Sequence, residues 1–225
     1  MIDHPERLID HSLLTPETDR AGIAKLCQEA IAHRFCGIAV NPYWVSYAKT
    51  FLTGSEVKII SVSGFPLSAN RTDIKVAEAV KGVEDGADEI DMVANIGLLA
   101  EGAFGEVENE IAAVRKSLPD SVILKVIIES PRITPETQTK AVETVVGGGA
   151  DYVKTATGFF GGATVEIVRR LTEAARGRIK VKASGGIRTM SDMEALVAAG
   201  AKRIGSSASV AIMHEYNLAA AKTEK

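Results

Sequence analysis

Eight short apolar runs, each followed by a segment of helical periodicity, leave this chain few folds to choose from. The runs are "LIDHSLL" (8–14), "GIAVN" (37–41), "VKIISVSGF" (57–65), "DEIDMVAN" (88–95), "VILKVIIE" (122–129), "DYVKTAT" (151–157), "IKVKASGG" (179–186) and "KRIGSS" (202–207). Several are β-branched and almost continuously apolar, as parallel strands covered by helices are. Between them, Val107, Ile111, Val114 and Leu118 recur at helical spacing, as do Ile74, Ala77, Val80 and Val83, and Val165, Val168 and Leu171. "TPET" occurs at 15–18 and at 134–137, each time predicting a helix start with Thr as N-cap and Pro at the first helical position. "GGGA" (147–150) and "AGA" (199–201) suit helix C-caps before the next strand.

Eight strand–helix units of about 28 residues each, in a chain of 225, predict an α/β fold: a single (β/α)₈ TIM barrel over 1–225. The alternative is an open doubly wound sheet, which often carries a glycine-rich turn after its first strand; here that strand runs into "LLTPET". Nothing reads as a linker. A net charge of −3 gives no reason to expect nucleic acid or an anionic membrane as partner, and no apolar run is long enough to cross a bilayer. The N-terminus lacks the plan of a signal peptide. Cys27 and Cys36 have no metal-ligand spacing and read as two buried thiols in a reducing cytoplasm. The four histidines are scattered, and no metal site is expected. Trp44, Tyr43 and Tyr47 are expected to pack a helix against the barrel.

In such a barrel alternate strand residues point inward, and chemistry sits at the strands' C-terminal ends. Parity puts Asp91 on a face with Glu89, Val93 and Asn95, and Lys125 with Ile127 and Glu129. It puts Lys154 with Tyr152 and Ala156, and Lys182 with Lys180 and Ser184. Each of strands 4 to 7 therefore sends an ionisable residue inward. Burying ions costs several kcal/mol even after relaxation. A structural ion pair such as Asp91 with Lys125 would account for one such residue, and Lys180 would reach solvent at the lower rim. Three lysines converging with an aspartate suggest chemistry. An unperturbed lysine is neutral in roughly one molecule in two thousand at pH 7. Desolvation and a neighbouring cation both lower its pKa, and a drop of ~3 costs the charged form about 4 kcal/mol while freeing the amine to attack a carbonyl. Asp91 could then serve proton transfer.

"SGGIRT" (184–189) and "GSSAS" (205–209) follow strands 7 and 8, where barrels frequently bind phosphate with backbone N–H groups and a helix N-terminus. Gly185 and Gly186 permit close backbone approach, Ser206, Ser207 and Ser209 offer hydroxyls, and "GFFGG" (158–162) adds a further wall. Glu129 either hydrogen-bonds a lysine or serves structure.

"KTATG" at 154, "KASGGIR" at 182, "EIDMVAN" around Asp91, "KVIIE" at 125 and "IDHSLLTP" at 9 together resemble the deoxyribose-phosphate aldolase family, from about Ile9 to about Val210. The resemblance implies a (β/α)₈ barrel, and reversible cleavage of 2-deoxy-D-ribose 5-phosphate to D-glyceraldehyde 3-phosphate and acetaldehyde with no metal and no cofactor. It also implies a cytoplasmic homo-oligomer, dimer or tetramer, in deoxyribonucleotide catabolism. Carried over by motif, the Schiff-base lysine is Lys154, the lysine that depresses its pKa is Lys182, and the acid/base aspartate is Asp91. Lys125 and Asp10 belong to the same proton relay, and the phosphate grip falls on Gly185, Gly186 and Ser207, with Gly158 and Thr157 near it. Ala156 replaces a frequent serine, the loop after Gly158 is one residue shorter, Ala208 stands where a serine is frequent, and Ala39 stands where a cysteine is often found. These departures bear on affinity, substrate range and aldehyde tolerance. From the residues alone, other readings stay open: a different Schiff-base aldolase, a phosphate-binding isomerase or epimerase, and a sugar-phosphate binding protein without catalysis.

Overall fold

A computed structural model describes residues 2–223, without the side chains of 222 and 223; of the predicted domain 1–225, residues 1, 224 and 225 lie outside the described residues. Eight parallel strands close into a barrel in chain order. They are β1 (Ile9–Leu13), β2 (Gly37–Val40), β3 (Lys58–Ser63), β4 (Glu89–Val93), β5 (Ile123–Ile127), β6 (Tyr152–Lys154), β7 (Lys180–Ser184) and β8 (Arg203–Ser206). The pairing of β1 with β8, Asp10 opposite Gly205, closes the ring and rules out the open sheet. Every strand lies inside its predicted range and ends earlier than predicted. The chain leaves the ladder at these C-terminal ends to form the loops of the mouth, as where Gly64 and Gly185 adopt φ of 65° and 90°.

Nine helices are described: α1 (Arg20–His33), α2 (Val45–Leu52), α3 (Thr72–Glu84), α4 (Ile96–Glu101), α5 (Phe104–Ser117), α6 (Pro135–Gly147), α7 (Val165–Ala175), α8 (Met190–Ala198) and α9 (Ser209–Thr223). The main core lies between sheet and helices. It takes Ile38, Val40, Ile90, Met92, Leu124, Val126, Val153 and Val181 from the strands and Val107, Ile111, Val114, Val168 and Leu171 from the helices. The opposite strand faces therefore turn into the barrel.

The two "TPET" segments behave differently. Thr134 caps α6, its hydroxyl accepting from the Thr137 N–H at 3.2 Å with Pro135 at the first helical position. Thr15 does not start a helix; residues 15–18 form a turn, and α1 begins at Arg20, where the Asp19 carboxylate accepts from the Gly22 N–H at 2.8 Å. A carboxylate is the stronger cap at a helix N-terminus, and Thr15 instead lines the cleft at the mouth of the barrel. The predicted C-caps hold: Gly149 and Gly200 take φ of 79° and 117° after α6 and α8.

Helix α3 corrects the pattern reading. Its buried face carries Lys75, Ala79 and Gly82, and Ile74 is 50% exposed. Close approach to the sheet decides this, because a Cβ on Gly82 would lie 2.9 Å from Ser61 Oγ. Lys75 is buried because the Nζ donates to Glu110 at 2.7 Å, Ser68 Oγ at 2.7 Å and the Val93 carbonyl at 3.0 Å. Two smaller expectations also fail. Trp44 and Tyr47 pack on the core, but Tyr43 is largely exposed, its ring against Trp44. Cys27 is buried, whereas Cys36 is only partly so and contacts Arg203.

Candidate active site

Inside the barrel, parity alone would bring Asp91, Lys125, Lys154 and Lys182 together, and the register stacks them side by side: Asp91 opposite Lys125, and Lys154 opposite Lys182. Asp91 is fully buried and sits at the centre. Its Oδ2 accepts from Lys154 Nζ and from Lys182 Nζ, both at 2.7 Å, and its Oδ1 from Lys125 Nζ at 2.8 Å. Lys182 also reaches Asp10 Oδ2 at 2.5 Å, and Lys125 reaches Glu89 Oε2 at 2.5 Å. Beneath them Arg203 closes the ring, Nε donating to Asp10 Oδ1 at 2.8 Å and an outer nitrogen donating to Glu89 at 2.7 and 2.8 Å. Gly205 leaves room for this packing, since a Cβ there would lie 3.4 Å from Lys182 Cε.

The electrostatics separate these groups. Burial raises the Asp91 pKa, but Lys125, Lys154 and Lys182 together overcome it and hold the carboxyl well below the usual range. Asp10 is likewise ionised: burial opposes this, and Lys182 and Arg203 prevail. Burial would lower Lys125 too, yet Asp91, Glu89 and Asp10 raise it above the ordinary value. Lys154 goes the other way. Burial pushes its pKa down to about 8; Asp91 opposes the drop, and Lys182 and Lys125 favour it. Burial thus brings the Lys154 amine within reach of deprotonation near neutrality.

Lys154, Lys182 and Asp10 floor a cleft of about 260 Å³ at the C-terminal ends of the strands. Asp91 and Lys125 do not line it; they lie below the lysines. Thr157, Gly158, Gly185, Gly186 and Ser207 line the same cleft, as do the apolar side chains of Leu13, Leu14, Ala39 and Phe159. The phosphate-like loops are joined by backbone contact. A Cβ on Gly162 would lie 2.3 Å from the Gly185 carbonyl oxygen, and one on Gly185 would lie 2.8 Å from Gly162 Cα. Of the three serines after β8, Ser206 donates to the Ile187 carbonyl at 2.7 Å and Ser209 to the Ser206 carbonyl at 2.9 Å. Ser207 alone is exposed, at the mouth. Glu129 is buried and meets no lysine by hydrogen bond; it accepts from the Thr157 N–H at 3.1 and 3.3 Å, bracing the turn into Gly158. Lys180 is exposed at the lower rim, its Nζ 5.4 Å from the centre of the Tyr152 ring.

Sequence reasoning missed Arg203 and gave Glu89 no role. Both share inward parity, with Gly205 and Asp91 respectively, which was the available signal. It also left out Arg188, exposed on the cleft wall. Among the described residues no group of three or more His, Cys, Asp or Glu is arranged to hold a metal ion, and no helix is long and apolar enough to cross a membrane.

Comparison with known proteins agrees with this geometry. The chain is 46% identical over 207 residues to a deoxyribose-phosphate aldolase of Clostridium perfringens strain 13, covering 92% of each chain. It is 46% identical over 206 residues to that of Deinococcus radiodurans, covering 91% of this chain and 93% of the other. Among solved structures, QR15, an aldolase, superposes with a TM-score of 0.91 at 39% identity, over 96% of each chain. A deoxyribose phosphate aldolase from Aeropyrum pernix, described as a unique tetramer, superposes with a TM-score of 0.88 at 32% identity, over 95% of this chain and 91% of the other. The model of the DeoC/LacD family aldolases matches residues 7–213. A match over almost the whole barrel, together with relatives at this level of identity, means that the chain belongs to the DeoC/LacD family of aldolases.

Proposed function

We propose that this chain, acting as one barrel domain over 1–225, reversibly cleaves 2-deoxy-D-ribose 5-phosphate to D-glyceraldehyde 3-phosphate and acetaldehyde through a Schiff base on Lys154. The observation that carries the reading is Lys154 itself: a buried amine with a pKa near 8, at the floor of a cleft whose other end is glycine backbone suited to phosphate.

In the cleavage direction the neutral Lys154 amine adds to the C1 aldehyde of the open-chain sugar. The carbinolamine loses water to give a protonated imine. The C3 hydroxyl proton passes to the Asp91 relay, the C2–C3 bond breaks, and its electron pair moves into the imine to form an enamine. Glyceraldehyde 3-phosphate leaves. Protonation of the enamine at C2 and hydrolysis then release acetaldehyde and restore the amine. In the resting site Asp91 is a poor base, since three ammonium groups hold it ionised. As the C2–C3 bond breaks, the protonated imine becomes a neutral enamine, so one of those cations is lost during the step and Asp91 becomes the better acceptor. Lys182, beside the reacting nitrogen, depresses its pKa and polarises the carbonyl oxygen. Lys125 and Asp10 hold Asp91 and Lys182 in place. Gly185, Gly186, Gly158, Thr157 and Ser207 grip the phosphate.

By analogy with the tetrameric relative, the chain is proposed to work as a homo-oligomer, and its small phosphorylated substrate suits a cytoplasmic enzyme. The test is borohydride reduction in the presence of acetaldehyde, with peptide mass mapping, beside a coupled assay on deoxyribose 5-phosphate with wild type and Lys154→Leu. An adduct on Lys154 and loss of turnover in the variant are expected. An adduct elsewhere, or an active variant, refutes the assignment. Poor cleavage of deoxyribose 5-phosphate but ready turnover with dihydroxyacetone phosphate as donor would point to a different Schiff-base aldolase.

A further inference from the structure

The ion-paired ring inside the barrel holds three carboxylates and four cations. The carboxylates are Asp10, Glu89 and Asp91; the cations are Lys125, Lys154, Lys182 and Arg203. With every group ionised the ring carries one positive charge too many, and releasing one proton makes it neutral. Arginine cannot supply that proton. Its guanidinium spans two strands, donating to Asp10 on β1 and Glu89 on β4 from a position on β8. These are the two carboxylates that also pair with Lys182 and Lys125.

We propose that Arg203, which lies beneath the cleft and does not line it, is a positioning residue that sets the charge of the active-site lysine from below: as a permanent cation it shares Asp10 with Lys182 and Glu89 with Lys125, so that all three lysines draw on Asp91, and Lys154, which pairs with Asp91 alone, is the one that gives up its proton. This rests on the reading of Lys154 as the Schiff-base lysine. The surroundings agree. Facing Lys154 are Asp91 from β4, Lys125 from β5, Lys182 from β7 and Glu129 after β5. Facing Arg203 are Asp10, Glu89, Lys125 and, just before β2, Cys36. Burial raises the pKa of Glu129, which hydrogen-bonds to backbone and stands outside the ion-paired ring. Without Arg203 the ring would hold three carboxylates and three lysines, neutral with every lysine protonated.

The test reads Lys154 without needing turnover. The rate of its reductive methylation by formaldehyde and cyanoborohydride, mapped by mass spectrometry, is followed from pH 6 to pH 11 in wild type, Arg203→Met, Arg203→Lys, Glu89→Gln and the double variant Arg203→Met with Glu89→Gln. Removing a buried cation from the same ion-paired ring should move the midpoint up by about one pH unit, slowing labelling roughly tenfold at pH 7. Arg203→Lys, which keeps the charge, should stay near wild type. Glu89→Gln should move the midpoint down, and the double variant, which restores the charge count, should return it. If Arg203→Met does not fold, the opposed behaviour of Glu89→Gln and the double variant decides the matter. An unmoved midpoint in Glu89→Gln, or in a folded Arg203→Met, overturns the proposal and leaves Arg203 a structural ion pair. Failure of the aldolase reading looks different: Lys154 titrates as described, yet deoxyribose 5-phosphate is not cleaved.

Discussion

Replacing Lys182 by methionine should make the enzyme an alkaline one. The side chains of Lys154 and Lys182 both donate to the same oxygen, Asp91 Oδ2, at 2.7 Å. Two like charges ~5 Å apart repel by about 3 kcal/mol at an effective dielectric of ~20, which is about two powers of ten in the Lys154 protonation equilibrium. Removing Lys182 also leaves Asp10 and Asp91 with one cation fewer, which acts in the same direction. Lys154, now near 8, should therefore titrate close to 10. At pH 7 its neutral fraction should fall from roughly one in ten to roughly one in a thousand. The coupled assay for glyceraldehyde 3-phosphate, run from pH 6 to pH 10 with saturating coupling enzymes, should give a kcat/KM reduced about 100-fold at pH 7, with the deficit shrinking as pH rises from 8 to 10. Borohydride trapping by acetaldehyde should follow the same curve. A loss of equal size at every pH would show that Lys182 acts on the substrate and not on the Lys154 proton. Unchanged activity would remove it from the mechanism altogether.

Three further outcomes are expected. Lys154→Met should be more stable than wild type at pH 7 in urea denaturation. A lysine lowered from 10.5 to about 8 binds fewer protons folded than unfolded, so it costs stability below pH 8, by about 3 kcal/mol at most; that cost fades as pH rises to 10.5, and with it the variant's advantage. An unstabilised variant at pH 7 contradicts the electrostatic reading. Gly185→Ala must accommodate a Cβ at φ 90° and 2.8 Å from Gly162 Cα; it should raise KM for deoxyribose 5-phosphate at least about tenfold while sparing activity on unphosphorylated deoxyribose, and equal losses on both would refute a phosphate site there. Ala39 lines the cleft, so Ala39→Cys should place a thiol beside the aldehyde and render the enzyme sensitive to excess acetaldehyde; equal inactivation of both forms would refute the idea that the missing thiol matters.

The strands were legible because burial on both faces leaves so few residue types, and because glycine turns punctuate them. The helix faces were legible only where volume was the deciding factor. Val107, Ile111 and Val114 turn inward as their spacing predicts. On α3 the small residues Ala79 and Gly82 won the inward face because the helix lies close on the strand, and Lys75 came with them because Glu110, Ser68 and Val93 could satisfy all of its ammonium protons. Apolar periodicity carries no information about such a partner set. The first "TPET" misled for a related reason: a stronger cap lay four residues downstream at Asp19.

What the chain's own pattern determined is which way each strand residue points, because alternation is a local property of extended backbone. That was enough to send Asp91, Lys125, Lys154 and Lys182 into one barrel. Alternation leaves open which of those lysines loses its proton; the family resemblance named Lys154, and the physical reason, burial among these neighbours, belongs to the closed barrel. Charge inside a dry interior is set by every ion within a few ångströms. Here Asp10, Glu89 and Arg203 arrive from strands separated by up to 193 positions.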